Sequence, residues 1–271
     1  STLNIKTVGS VTLQEASEDT PLVYSPLESG EITFQISEYV GDAWYITDDL
    51  REDGNQVEVL QAQHAQEQTR ALQERFESDF LASAAAPYVA ATTGLPINGF
   101  NHFVVSGEVN QVFHLDMLID MRLAFDKANV PAEGRVFICD SVVEATLNKA
   151  VSITNDVTPF ASAILEKGLA SGQRFFNQWF GWNLMTSNRL HVADANDGTT
   201  SITGGVYNLA MCILDDQTKP MMGAWRRMPK AEGERNKDRA RDEFVTRSRY
   251  GFGVQRLDSM GCIVTSATAT E

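Results

Sequence analysis

The side chains that most often carry chemistry are few in this chain and poorly spaced for it. Its four histidines, His64, His102, His114 and His191, fall at neither the i,i+4 interval nor the His-Glu-x-x-His pattern that turns two imidazoles toward one zinc ion, and none neighbours a Cys-x-x-Cys pair. Asp49-x-Arg51-x-Asp53-Gly54 begins like a calcium loop, but Arg51 stands where a carboxylate is needed and the twelfth position is Leu60 instead of a bidentate glutamate. These acids fit the start of a helix, whose dipole favours negative charge. Asp194-x-Asn196-Asp197-Gly198 fails in the same way, with Gly205 in twelfth place, and reads as a turn.

Signatures of nucleotide binding and acyl transfer are missing too. There is no Gly-x-Ser-x-Gly elbow and no Gly-x-x-x-x-Gly-Lys-Ser/Thr loop, and Gly251-Phe252-Gly253 lacks a third glycine and a following helix. Adjacent carboxylates such as Asp48/Asp49 and Asp215/Asp216 are expected by chance among 36 acids, and general acid–base work needs a pocket that raises one pKa. Cys139, Cys212 and Cys262 each end or interrupt an apolar run, so they read as reduced core thiols in a reducing compartment. The sequence therefore predicts no enzyme, no metal site and no cofactor.

Composition narrows the class further. With 271 residues, 43% of them hydrophobic and 21% charged, the chain is a folded globular protein with a sizeable core. A net charge of −14 is not that of a surface built to grip nucleic acid. The charge is also lopsided: residues 1–125 hold 19 acids and 5 bases, whereas residues 126–271 hold 17 of each. The longest apolar stretch, Leu81–Ala91, is too short for a membrane span and is broken by Ser83 and Pro87; no signal region opens the chain.

Residues 2–46 alternate as strands interrupted by polar turns. Ile32, Phe34 and Ile36 alternate with Glu31, Thr33, Gln35 and Ser37, so the region reads as an extended acidic hairpin, and its middle, Gln14 to Gly30, is too polar to build a core. From about Gln56 to Ser83 the period turns helical, with Leu60, Ala65, Leu72, Phe76 and Phe80 on one stripe; Pro87 and Thr92–Pro96 end this helix. A second helix is predicted from Ser106 or Gly107 to Lys127 with Val109, Val112, Phe113, Met117, Met121 and Phe125 inward. A strand follows at Arg135–Cys139, then a third helix opened by a Ser141-x-x-Glu144 capping box. Later runs read as a strand at Phe180–Met185, a hairpin turn at Asp197-Gly198, a strand or short helix at Val206–Leu214, and β runs at Phe244–Tyr250 and Cys262–Ser266. Arg226 to Arg249 is a basic cluster of nine bases and five acids that fits contact with acidic protein better than with phosphate. The fold class is α+β.

In this order the elements resemble those of the major capsid proteins of tailed double-stranded DNA bacteriophages, the Hong Kong 97-type fold, most closely the short-tailed branch. The strand pair ending EITFQISEYVGDAWYITD and the following QAQHAQEQTRALQERFESDFLAS helix are similar to the family's extended loop and spine helix. Val130-Pro131 with Arg135 and Asp140, Phe180–Leu190, and Arg249-Tyr250-Gly251 leading to Arg256 resemble its later motifs. The resemblance implies an extended loop at 1–42, a peripheral domain with spine helix at 43–96, an axial domain at 97–236 and peripheral return strands at 237–271. It implies a self-assembling icosahedral shell of hexamers and pentamers, located in the virion capsid, assembled in the host cytoplasm, enclosing DNA without sequence-specific binding. Portal, scaffolding and decoration proteins are further implied partners; a membrane is not.

Two expectations about sites follow. Acids of the loop, Glu15, Glu18, Asp19, Glu28 and Glu31, are expected to meet Arg226, Arg227, Arg239 and Arg241 of a neighbouring subunit, and Glu67, Glu74 and Glu77 of the spine helix are expected to face the lumen and repel DNA. Family members usually carry an N-terminal arm, which is absent, cleaved or outside the given chain. Lys6 is the lone lysine before Lys127, so crosslinking through the loop tip is not expected. The competing readings are an encapsulin-like nanocompartment shell and an acidic cytosolic hydrolase with a dispersed active site.

Overall fold

The computed structural model describes residues 2–8, 29–54, 57–150, 178–216 and 218–268. In chain order the elements are β1 (Thr2–Val8), β2 (Ser29–Gln35), β3 (Glu38–Thr47), α1 (Asp48–Asp53), α2 (Val57–Val89), β4 (Pro96–Ile97), β5 (Phe100–Asn101), β6 (Phe103–Val105), α3 (Leu115–Lys127), β7 (Arg135–Cys139) and α4 (Ser141–Ala150). Then come β8 (Gln178–Trp179), β9 (Trp182–Thr186), β10 (Val192–Asn196), β11 (Ser201–Cys212), β12 (Met221–Asn236), β13 (Arg241–Val254) and β14 (Met260–Thr265). They form two compact units: Ser1–Ala65 with Gly223–Gly253, and Gln66–Met222 with Val254–Glu271.

The first unit contains the hairpin and a three-stranded sheet. β1 and β2 pair antiparallel from Thr2 opposite Gln35 to Val8 opposite Ser29, a ribbon of roughly 23 Å at the usual strand rise. Most of the predicted polar middle of this hairpin lies outside the described residues. In the sheet, β13 lies between β12 and β3, and it pairs with β3 from Arg241 opposite Thr47 to Tyr250 opposite Glu38. Opposed Phe244 and Trp44 stack at 4.3 Å, and His64 from the start of α2 meets Trp44 edge-on at 4.6 Å. Gly251 lets the end of β2 come close: a Cβ there would sit 2.7 Å from the Gln35 carbonyl oxygen.

The second unit is built on a mixed sheet in the order β6-β14-β11-β7-β9-β8, with β10 also on β11. Its inner strands are apolar on both faces, which is why their sequences read as unbroken hydrophobic runs. On one face Tyr207, Leu209, Cys262 and Val264 pack with Leu81, Ala84, Ala85 and Tyr88 from the end of α2. On the other, Phe137, Cys139, Ala210, Cys212 and Ile263 pack with Leu118, Met121 and Phe125 of α3 and Val143 and Leu147 of α4. Asn208 ties three strands together, accepting from Asp140 N–H at 2.9 Å and donating to the Ile263 carbonyl and Thr265 Oγ1, both at 3.0 Å.

Several boundaries differ from the sequence reading, each for a local reason. α2 continues through Pro87 to Val89, since a proline near a helix end forfeits little beyond the bond to the Ser83 carbonyl. Leu60, assigned to its apolar stripe, is 57% exposed; burial is confined to the last turns. α3 begins at Leu115, because Ser106 Oγ donates to the Val112 carbonyl at 2.6 Å and Asn110 and Gln111 take positive φ, which leaves Val109 exposed. It ends in a Schellman turn on Asn129 at φ +57°, with Val130 N–H donating to the Phe125 carbonyl. α4 is capped by Asp140, whose carboxylate accepts from Val142 N–H at 3.3 Å, so Ser141 is its first helical residue and not its cap. Phe180-Gly181 forms the turn between β8 and β9, and Val206–Leu214 is the strand alternative, β11.

Candidate assembly surfaces

The first unit hides very little within itself. Among its described residues, Ile36, Ile46 and Tyr250 are the buried large apolar side chains. β12 is an edge strand among the described residues, and every residue from Trp225 to Arg235 is exposed. Arg226 and Arg227 stand in this stretch, as does Met228 at 71% exposure.

The tip of the β12–β13 hairpin is drawn onto the start of α1 by ion pairs. Thr47 caps α1 by accepting from Leu50 N–H at 3.3 Å, and Asp48 N–H donates to the Ala240 carbonyl at 3.1 Å. Arg235 clasps Asp48 with two bonds of 2.6 Å and reaches Asp242 at 3.2 Å; Arg51 also binds Asp242. Arg241 donates to Glu243 at 2.7 Å and lies over the Tyr45 ring at 4.2 Å, while Asn236 bonds the same glutamate at 3.0 Å. Hydrogen bonds from Arg235 hold Asp48 and Asp242 below the usual carboxylate range, and Arg241 does the same for Glu243.

The predicted interface residues therefore fall into different situations. Arg226 and Arg227 are outward on β12, and Arg239 is exposed on the hairpin tip, with its N–H donating to Asn236 Oδ1 at 3.3 Å. Arg241 is engaged by its own chain. Glu31 lies on β2 opposite Lys6, and Glu15, Glu18, Asp19 and Glu28 lie outside the described residues. Sequence reasoning passed over Arg235, Asp48 and Asp242 as a network. Only the acid-rich start of a helix hinted that a cation would be needed there.

On α2 the acids expected to face the lumen are partly neutralised. Glu67 is exposed, 3.7 Å from Arg70. Glu74 receives Arg70 at 2.9 Å and Arg189 at 2.8 Å, and Glu77 accepts from Ser187 Oγ at 2.6 Å with Arg189 3.8 Å away. Among the described residues no group of three or more His, Cys, Asp or Glu could hold a metal ion. His64 lies 3.3 Å from Asp42, and His114 caps α3 by accepting from Asp116 N–H.

Arg135, singled out in the Val130-Pro131 motif, is 2% exposed and works as an internal staple. It bonds Asp126 at 2.6 Å and the carbonyls of Val130 and Pro131 at 2.7 and 2.8 Å, and its guanidinium lies near the Phe125 and Trp182 rings.

A hairpin, a long helix, a poorly covered sheet and a layered sheet unit together make a Hong Kong 97-type shell fold. The capsid of cyanophage P-SCSP1u aligns at TM-score 0.68 and 17% identity over 98% of this chain and 83% of that one. A Mycobacterium phage Che8 structure aligns at 0.61 and 16% over 97% and 84%, and the SrpI encapsulin of Synechococcus elongatus at 0.60 and 11% over 90% and 80%. No curated protein sequence matches the chain. Residues 30–265 match the family model described as phage capsid protein; the chain belongs to that family and is a structural shell protein.

Proposed function

We propose that copies of this chain close into an icosahedral shell of hexamers and pentamers around double-stranded DNA, assembled in the host cytoplasm and retained in the virion. The observation that carries this reading is the run of exposed residues from Trp225 to Arg235 on β12, a stretch left uncovered among the described residues. Closure makes each copy hold several neighbours at once, so individually modest contacts suffice.

In this reading residues 1–42 are the extended loop, residues 43–96 with the spine helix and residues 237–271 are peripheral, and residues 97–236 are axial. The two compact units favour moving two of these breaks, to Gly223 and Val254, which gives β14 to the axial part. The acids of the loop meet Arg226, Arg227 and Arg239 of a neighbour, whereas Arg241 supports its own hairpin. Glu67 is the strongest remaining candidate for repelling lumenal DNA, because Glu74 and Glu77 share Arg189. Portal, scaffolding and decoration proteins complete the particle, and the chain performs no catalysis.

Electron microscopy and sedimentation of the expressed chain test this directly. Closed particles are expected, with the yield of an Arg226→Glu/Arg227→Glu variant falling roughly tenfold at low salt and the difference narrowing above about 0.5 M salt. A chain that stays monomeric with and without a scaffolding partner, or particles filled with an enzyme in place of DNA, would overturn the reading.

A further inference from the structure

β12 lies at the edge of its sheet among the described residues, and its alternation is unbroken. A Cβ at Gly223 would sit 3.1 Å from the Phe252 ring and one at Gly233 3.1 Å from the Phe244 ring, and Trp225 meets Tyr250 at 5.1 Å. Odd-numbered β12 residues thus face the even-numbered aromatics of β13 at both ends of the strand, and Arg226, Met228, Lys230, Glu232, Glu234 and Asn236 share the opposite face. The charges on that face are segregated: its bases, Arg226 and Lys230, precede its acids, Glu232 and Glu234. Lys230 and Glu232 approach to 3.1 Å yet stay 73% and 60% exposed.

Such a strand is complementary to its own reverse. A two-fold axis perpendicular to the sheet runs two copies antiparallel and keeps each face on its own side, so only residues of the same parity oppose each other. With Ala231 on the axis, Lys230 of each copy faces Glu232 of the other, Met228 faces Glu234, and Pro229, which has no amide proton to offer, faces Gly233. Arg226 falls opposite the neutral Asn236, and Arg227 opposite Arg235, whose charge is already taken by Asp48 and Asp242. Moving the axis to Pro229, Lys230 or Glu232 would set two prolines, two lysines or two glutamates against each other.

We infer that β12 is the edge at which two copies of this chain join, antiparallel about a two-fold axis through Ala231. The inference rests on the shell reading, since a closed icosahedral shell relates neighbouring copies by two-fold axes. It adds a seam of backbone hydrogen bonds to that shell and leaves Arg226 and Arg227 available to loop acids. Trp225 and Met228, both exposed, lie along the seam and are residue types enriched at interfaces.

The test uses the full chain with single added cysteines, oxidised before and after assembly. Ala231→Cys opposes itself and should link into disulfide dimers. Met228→Cys should not, because its two copies lie about 20 Å apart along the strands, whereas mixing it with Glu234→Cys should give the mixed dimer. Cys139, Cys212 and Cys262 are buried and stay silent. Lys230→Glu and Glu232→Lys, each alone, should cut particle yield about fivefold, and mixing the two chains should restore it. Opposite charges then meet across the seam while each chain still carries like charges within itself, so a purely internal role for the Lys230–Glu232 pair predicts no rescue. The inference is overturned if Ala231→Cys stays monomeric, as it would were the edge covered by the chain's own residues 9–28. It is equally overturned if Met228→Cys dimerises as readily, or if the mixture assembles no better than its components. Particles in which Ala231→Cys does not link would sink the seam and leave the shell standing; a chain that forms no particles would sink the shell reading, and dimers in solution would still decide the seam.

Discussion

The two units hold themselves together by different means. The second places both faces of a sheet under helices, with Trp182, Phe137, Tyr207 and Leu209 removed from water. The first has three large buried apolar residues among those described and relies on Trp44, Phe244 and a ring of exposed ion pairs around Arg235. Burial stabilises a chain on its own; exposed ion pairs contribute little but orient what they join. The second unit is finished by folding; the first leaves most of its described surface open.

The sharpest way to break this contrast is to compare two tryptophans. Trp182→Ala, in the second unit's core, should cost about 3–5 kcal/mol in chemical denaturation. Trp225→Ala, 41% exposed on β12, should cost less than about 1 kcal/mol yet reduce particle yield. Equal losses of stability would erase the distinction. Arg135→Ala comes next, at about 2–3 kcal/mol, below the full penalty of a broken buried pair because Asp126 is half exposed and can hydrate. Asn208→Leu should cost about 1–3 kcal/mol by leaving Asp140 N–H without its acceptor, read as faster amide exchange there.

In the first unit the effects are smaller and depend on pH. Arg235→Ala should lower Tm by only about 2 °C, since its partners are at the surface. Asp48, Asp242 and Glu243 have depressed pKa values in the folded chain. Their contribution is complete above the unfolded carboxylate pKa of about 4 and is lost as pH falls through the lower folded values. The Tm difference between wild type and Arg235→Ala should thus be constant from about pH 8 to 5, begin to shrink near pH 4 and vanish only below the depressed folded values. A difference that grows on acidification would contradict the assigned pairs.

What could be read from the sequence follows the same division. Arg135–Cys139 and Cys262–Ser266 were legible because double-faced burial leaves uninterrupted apolar runs, and Asp197-Gly198 because Asp197 Oδ1 accepts from Thr199 and Thr200 N–H in a turn that needs Gly198 at φ +88°. β12 was not legible: Trp225 to Arg235 is exposed on both faces, so no period of two survives. The start of α3 was misread because Ser106 satisfies a carbonyl locally where a helix would have used its backbone. The basic cluster was visible, but its internal use was not, since Arg235 and Asp48 are 187 residues apart.

The edge of β12, unpaired among the described residues, has a consequence for the chain before it meets its neighbours. Unpaired strand amides invite any extended polypeptide to add on, the first step toward fibres. Pro229, midway along the strand, carries no amide proton, and Arg226, Arg227, Lys230, Glu232 and Glu234 surround it with charges that resist a dry, indiscriminate zipper. The edge is thereby protected from indiscriminate pairing during the interval of synthesis, when many copies of one chain are in solution together.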